Sequence, residues 1–510
     1  MRAAGDGAPL LVAAVIAGAL VRLALAATMP IGDDEAYYWL WSQRLAWGYP
    51  DHPPMIAAVI AASTRLLGDG VFGIRALAVL MATITPLLIY AAGHAMFDHR
   101  AALRATLISV ILPAFAIGTV FAFPDVPLAL FWALALWTGW RALQAGGWWW
   151  VATGVAVGLA LLSKLTAFGL LVGFAGVLVA GDWRRAARDP GFYAGALVAA
   201  MLFAPVVAWN VTHEWFLVDI TVGREPWTTP RSAPVNLLFF LGGQILYYGT
   251  LAPALVAAIV AAARRREPRW RYLFWMSAPV LAATIVAALG ARPKPHWPAP
   301  AYLAAALALG ALWEEWARRR SRVLQLLTVS TAALTIIATL VALLPWGRDQ
   351  VAVGIGRWDR VAAAIEQQIG DNRDRVLVLT DTYQAASHLA YRLRTRVPVT
   401  TTYGAFAVWR KPEWTGWSAL YVDEPLLERN LPIETMCRNI RPVDGVEFAP
   451  GRVVGLYRCD DVRFPSRRDS SIIRGTSSRA VSSVAERILH TDEVAGSKPA
   501  PPTIPPGGVQ

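Results

Sequence analysis

Charge is scarce in this sequence. Only 16% of its 510 residues are Asp, Glu, Lys or Arg, against about 25% in soluble globular chains. The mean hydropathy is +0.43. A chain so poor in charge is not soluble throughout. Cysteine is scarcer still: Cys437 and Cys459 are the only two, and both lie in the polar C-terminal region. The first apolar run, 10–29, is long for the apolar core of a removable signal peptide and is read as an uncleaved span.

The apolar residues fall in blocks. Residues 10–29, 72–97, 170–180, 194–209, 236–263, 272–289 and 323–344 carry almost no charge, and most can cross about 30 Å of hydrocarbon as helix. The formal net charge of +12 would suit nucleic acid, but its placement excludes that partner. Arg100 and Arg104, Arg184, Arg185 and Arg188, Arg264 to Arg266, and Arg318 to Arg320 sit in short loops between apolar blocks. Alternate loops are poorer in Arg and Lys. That is the positive-inside pattern, and it assigns the arginine-rich loops to the cytoplasm.

About eleven spans are predicted, at 10–29, 72–97, 104–122, 126–143, 148–163, 165–181, 192–209, 236–263, 272–289, 299–316 and 322–344. With the N-terminus inside, this count leaves residues 30–71, 122–125, the Ser163-Lys164 corner, 210–235 and 291–298 outside, together with everything after the last span. The predicted architecture is therefore mainly α. It comprises a polytopic transmembrane region over 1–345, with its first outer loop at 30–71, and a small extracytoplasmic α/β domain over 346–465. In that domain 375–380, 418–422 and 453–457 read as strands and 382–392 as a helix. Cys437 and Cys459 would share an oxidising compartment there and either pair or remain two buried thiols. The tail, 466–510, is rich in Ser, Pro and Gly and reads as disordered. Its run SSVAERILHTDEVAGSKPAPPT looks like translation of an adjacent transfer-RNA gene.

The first outer loop reads Gly32-Asp33-Asp34-Glu35-Ala36-Tyr37-Tyr38-Trp39 and, further on, Gly48-Tyr49-Pro50-Asp51-His52-Pro53-Pro54. Its aromatic stretch 35–45 suits a helix lying in the interface. The apolar stretch 53–67 suits a second surface helix or a tilted, re-entrant span. Acids and an imidazole at the end of a span are costly unless hydrated, paired or bound to a cation. They supply candidates for a general base or a metal ligand, although Asp33 or Asp34 could equally cap a helix.

Asp125, in Phe123-Pro124-Asp125-Val126-Pro127, stands at the predicted outer start of the fourth span, either as a helix cap or as a second site acid. Lys164 is a lone cation between two apolar runs. It is either a snorkelling lysine or a phosphate clamp. The outer loop Arg292-Pro293-Lys294-Pro295-His296-Trp297-Pro298 adds donors, with His296 an interfacial histidine or a phosphate contact. Acids and cations on one face suit an anionic lipid whose phosphate leaves while a carboxylate takes the acceptor's proton.

These motifs resemble the dolichyl-phosphate-mannose protein mannosyltransferase superfamily of GT-C glycosyltransferases, on the branch related to lipid A aminoarabinose transferases. The resemblance rests on Asp34-Glu35-Ala36-Tyr37-Tyr38, Asp51-His52-Pro53-Pro54, Pro124-Asp125-Val126-Pro127-Leu128, Leu162-Ser163-Lys164 and Pro295-His296-Trp297-Pro298, in family order over residues 10 to about 305. It implies inverting sugar transfer from an undecaprenyl- or other polyprenyl-phosphate donor to a lipid, glycan or protein acceptor. The reaction would take place at the outer face of a bacterial inner membrane.

Asp34 then becomes the catalytic base, with Asp125 and Glu35 beside it. Tyr38, His52, Lys164, Lys294 and His296 become the candidates for donor or phosphate binding. A divalent metal at Asp51 and His52 is compatible with the family but not required. Histidine stands at 52 where the aminoarabinose transferases have lysine, so neither a direct phosphate contact there nor aminoarabinose as the sugar follows. The rival reading, a transporter or flippase of lipid-linked sugars, would place ionisable groups near the midplane.

Overall fold

The computed structural model describes residues 8–181, 183–215, 217–218, 232–370, 374–394, 396–401, 414–423 and 436–463. The tail 466–510 and most of the loop 210–235 lie outside the described residues. The chain opens with α1 (Ala8–Thr28), then two helices of the first loop, α2 (Asp33–Ser42) and α3 (Met55–Leu67). There follow α4 (Val71–Met96), α5 (His99–Ile111), the short α6 (Pro113–Ala116), α7 (Asp125–Ala145), α8 (Trp148–Ser163), α9 (Phe168–Ala180), α10 (Trp183–Ala187) and α11 (Pro190–Thr212). Beyond these come α12 (Ala233–Tyr248), α13 (Ala252–Ala263), α14 (Pro268–Trp275), α15 (Ala278–Gly290) and the 45-residue α16 (Ala299–Leu343).

Among the described residues, seven helical segments are long and apolar enough to cross a membrane, or eight if the pair His99–Ile111 and Pro113–Val120, bent by 78°, forms one span. The protein is thus a multi-pass membrane protein. The predicted spans 148–163 and 165–181 are helical, but α8 and α9 have 16 and 13 residues, fewer than the ~20 of a full crossing. The predicted spans 299–316 and 322–344 form one element, α16, broken at Arg320 (φ −142°, ψ 43°).

The chain doubles back at that break. Ala299 directly follows the 291–298 loop. At the other end, Ala342 and Leu343 pack on Leu25, Ala26 and Met29, where α1 enters the first loop. Both ends of α16 therefore lie at the same end of the bundle.

Small residues set the close helix contacts, as expected where lipid gives helices no hydrophobic reason to associate. A Cβ on Gly154 of α8 would come within 2.0 Å of the Gly195 carbonyl oxygen of α11. Caps start several elements. The Asp98 side chain accepts from the Ala101 amide at the start of α5. Asp189 accepts from the Gly191 amide in α11, which also carries the first-turn proline that helices tolerate.

One ion pair fastens the first loop to the bundle. Arg75 of α4 and Glu35 of α2 are both fully buried. Arg75 Nε donates to Glu35 Oε1 at 2.7 Å, and its Nη atoms donate to the carbonyls of Met29 and Pro30 at 2.8 and 2.7 Å. Glu35 accepts in addition from the Gly32 and Ala122 amides, each at 3.0 Å. Four chain segments meet at this pair.

The C-terminal region comprises α17 (Pro345–Ile355), α18 (Trp358–Ile369), α19 (Tyr383–Arg392) and a five-stranded sheet. The sheet order is β2 (Val399–Thr401), β1 (Val376–Thr380), β3 (Ser418–Asp423), β5 (Arg452–Val462), β4 (Cys437–Ala449). β1 pairs in parallel with β2 and β3, while β5 is antiparallel to β3 and β4. The predicted strands 375–380, 418–422 and 453–457 and the helix 382–392 correspond to β1, β3, β5 and α19. Cys437 and Cys459 form a disulfide between β4 and β5, which resolves the two readings in favour of pairing. The α2 helix, predicted to lie in the interface, is instead covered by α19: Ala386, Ala390 and Tyr391 pack against Tyr37, Tyr38 and Trp39.

Replacing Glu35 by Ala strands a buried guanidinium, and the expected cost is about 3–5 kcal/mol. A Glu35→Leu, Arg75→Met double variant should recover most of that loss. Thermal melting of the purified variants in detergent checks both.

Candidate active site

Two interruptions of helix create the centre of the site. Asp125 is the first residue of α7, after Pro124, where the helix dipole favours a carboxylate. Lys164 ends α8 with an extended backbone (φ −161°, ψ 143°) before the chain re-enters helix. The two side chains meet: Lys164 Nζ donates to both oxygens of Asp125, at 2.8 and 2.9 Å. The lysine side chain is 9% exposed and the aspartate 27%, so the pair lies at an opening rather than deep in the core. It uses two of the three ammonium donors.

Three more groups face this pair. The charges of Lys164, Asp125, Lys294 and His296 act on His52, and those of Asp125, Lys164 and Lys294 act on His296. The structure thus brings together His52, Asp125, Lys164, Lys294 and His296 from four separate stretches of sequence. Burial lowers the affinity of His52 for protons, and Lys164 lowers it further. Burial does the same for His296, with Lys164 and Lys294 adding to it and Asp125 opposing. Both imidazoles are accordingly neutral at pH 7 and act as hydrogen-bonding groups. Two ammonium groups against one carboxylate leave the cluster with one surplus positive charge.

The 291–298 loop is held by residues the sequence reading did not single out. Gln244 Nε2 donates to the Pro295 carbonyl at 3.1 Å, and its Oε1 accepts from the Tyr302 hydroxyl at 3.1 Å. Tyr248 stacks on Tyr302 with centroids 3.9 Å apart and donates to the His296 carbonyl at 3.4 Å. Tyr247 lies 6.0 Å from the His296 ring. A glutamine and two tyrosines in an apolar span were the available signal, because polar groups at membrane depth need a reason to be there.

The first loop reaches the cluster through its aromatics. Tyr38 lies 5.9 Å from the His52 ring and 6.5 Å from Phe123. Trp41 stacks flat on Tyr49 at 4.5 Å and meets the His52 ring edge-on. Gly48 lets this loop approach α11, since a Cβ there would come within 2.5 Å of Trp209.

The acids Asp33 and Asp34 face the C-terminal region instead. Asp34 Oδ1 accepts from the Tyr383 hydroxyl at 3.0 Å, and Asp33 Oδ1 pairs with His388 Nε2 at 2.8 Å. Glu35, expected among the catalytic acids, is buried and committed to Arg75 and two amides. Its geometry is that of a brace. The suggested metal position at Asp51 and His52 is not supported by its neighbours. No group of three or more His, Cys, Asp or Glu side chains gathers among the described residues, and two ammonium groups bear on His52. This donor set suits an anion.

A helical membrane bundle with a cationic, anion-suited cluster at one end is the arrangement expected of a membrane glycosyltransferase of the GT-C type, and similarity to known proteins carries that class. Residues 51–209 match the family model described as dolichyl-phosphate-mannose-protein mannosyltransferase. The lipid A galacturonosyltransferase RgtD of Rhizobium johnstonii is 31% identical over 385 residues, which is 72% of this chain and 80% of the relative. The chain belongs to this GT-C superfamily, among the relatives of the lipid A glycosyltransferases. The crystal structure of ArnT from Cupriavidus metallidurans bound to undecaprenyl phosphate superimposes with a TM-score of 0.63 at 17% identity, over 88% of this chain and 98% of that one. An oligosaccharyltransferase of Archaeoglobus fulgidus gives a TM-score of 0.50 at 14% identity, over 77% of this chain and 62% of that one. Both likenesses are of fold.

His388 yields a pH dependence. Arg392 Nη1 lies 2.9 Å from its Nδ1. A guanidinium only donates, so Nδ1 accepts and Nε2–H is donated to Asp33. Burial, reinforced by Arg392, holds the folded imidazole's pKa below its ordinary value despite Asp33. The unfolded chain therefore binds this proton more readily, and the contribution to stability is lost as pH falls through about 6.5. Melting temperature should drop more steeply between pH 7 and 5 in the native protein than in His388→Gln.

Proposed function

We propose that the protein transfers a sugar from a polyprenyl-phosphate donor to a lipid-borne acceptor at the outer face of the bacterial inner membrane. The observation that carries this reading is the convergence of Lys164, Lys294, His52 and His296 around Asp125, with one surplus positive charge at an opening where helices end. A monoester or diester phosphate embedded by its polyprenyl chain presents its charge at that depth. The similarity to RgtD, named for lipid A galacturonosyl transfer, and to ArnT in complex with undecaprenyl phosphate supports the donor and acceptor classes. The position of the cluster at helix ends, rather than midway along spans, favours an enzyme over a transporter.

In this reading Asp34 takes the proton of the acceptor hydroxyl as its oxygen bonds to the anomeric carbon. The bond from that carbon to the phosphate oxygen breaks on the opposite side of the sugar, and its electron pair leaves on the phosphate. Lys164 and Lys294 stabilise that charge, and the neutral imidazoles donate hydrogen bonds. Lys164 exchanges the carboxylate of Asp125 for donor phosphate, so Asp125 holds the cation in place while the site is empty. Tyr38 lines the donor side, and Glu35 supports α2 without reacting. The disulfide in the docked sheet domain supports an oxidising compartment for that domain, and its contacts with α2 support the same compartment for the first loop.

Purified enzyme in detergent, given a polyprenyl-phosphate sugar and a lipid A-type acceptor, should form glycosylated lipid. Asp34→Asn should lower kcat by about 10²-fold or more. Lys164→Ala should lower kcat/KM for the donor by about 10²-fold. Full activity in Asp34→Asn would remove Asp34 from the reaction, and donor-independent product would sink the assignment.

A further inference from the structure

The C-terminal sheet domain places one helix directly on the acidic face of the first loop. Thr382 caps α19, its hydroxyl accepting from the Ala385 amide at 3.1 Å, and Thr380 Oγ1 donates to the Thr382 carbonyl at 2.9 Å. These bonds fix the first residue of the helix, Tyr383, relative to the buried strand β1. From there its ring packs on Tyr37, centroids 4.8 Å apart, and its hydroxyl donates to Asp34 Oδ1 at 3.0 Å. Further along the same helix, His388 meets Asp33, and Tyr391 donates to the Asp69 carbonyl at 3.3 Å. Arg394, just past the helix, donates to the same carbonyl at 2.9 Å.

We infer that Tyr383 is a positioning residue for sugar transfer, holding one oxygen of Asp34 so that the other faces the acceptor hydroxyl. The sheet domain is thereby a working part of the active site and not only a cover. The inference rests on the reading of Asp34 as the base. A half-buried carboxylate on the first turn of a helix has two soft torsions, and a proton acceptor delivers rate only when its oxygen lies within hydrogen-bond reach of the reacting proton. The Tyr383 hydroxyl removes that freedom from a fixed point outside α2. Tyr391 offers a matched comparison. It lies on the same helix, at the same interface, with a hydroxyl of the same kind, but its partner is the backbone carbonyl of Asp69 and not Asp34.

The experiment measures kcat, donor KM and melting temperature for full-length Tyr383→Phe, Tyr391→Phe and Asp34→Asn in detergent. Tyr383→Phe should lose about ten- to a hundredfold in kcat, with donor KM and melting temperature unchanged. Tyr391→Phe should keep its kcat. If Tyr383→Phe keeps kcat while Asp34→Asn is inactive, the positioning role falls and the base assignment stands. If both tyrosine variants lose kcat equally, the hydroxyls serve domain docking and the inference is overturned. If Asp34→Asn is fully active, the base assignment itself fails.

Discussion

The arrangement depends on a buried ion pair. Arg75 and Glu35 tie the end of α1, the start of α2, the first turns of α4 and the turn before α7 to one point. Two unsolvated charges are tolerable only because nearly every lone pair and proton is met. The consequence is geometric. α2 cannot slide along the bundle, so the face bearing Asp33 and Asp34 is fixed with respect to Asp125, which begins the helix three residues beyond Ala122. A loop of some forty residues would otherwise be too soft to present a carboxylate reproducibly.

The site has two layers of unlike chemistry. The lower layer is cationic and belongs to helix ends: Lys164 closes α8, and Lys294 and His296 precede α16. The upper layer is acidic and aromatic and belongs to the first loop. Tyr38 and Trp41 separate the two, packed against His52. That division suits a reaction in which an anion leaves downward toward lipid while a proton is removed from above. It also explains why Asp125 is paired with Lys164 rather than grouped with Asp34.

Much of this was legible from sequence because membranes leave strong signals. Long uncharged runs of about 20 residues point to spans, and lone ionic residues at their ends need partners. Asp125 and Lys164 stood out that way, but their pairing with each other did not: Asp125 was expected near Asp34 and Lys164 on phosphate, whereas the two bond to one another. Glu35 misled because an acid beside Asp34 in a motif gives no hint that its partner is Arg75, forty residues on and inside an apolar run. Gln244, Tyr248 and Tyr302 were missed because each is a single polar residue whose role is to hold a loop.

In the sheet domain, β1, β3 and β5 announced themselves as runs of β-branched and apolar residues. β4 did not: CRNIRPVDGVEFA is charged and contains proline, as an edge strand tolerates. The stripe Trp358, Val361, Ala362, Ile365 and Ile369 marks α18 with helical spacing, a signal that a search for strands passes over. The docking of α19 on α2 joins residues some 350 positions apart, and no local pattern encodes it.

The fold-back at Arg320 sets a parity. The chain leaves the active-site end at Ala299, turns among arginines, and returns to the same end at Leu343, where the sheet domain begins. Deleting either arm of that hairpin would deliver the domain to the far side of the bilayer. Tyr383 and His388 would then be stranded a membrane's thickness from the acids they contact, although every other helix could still insert. The second arm, which contributes no residue to the cluster, is in this sense the return path that lets two distant parts of the chain meet on one face.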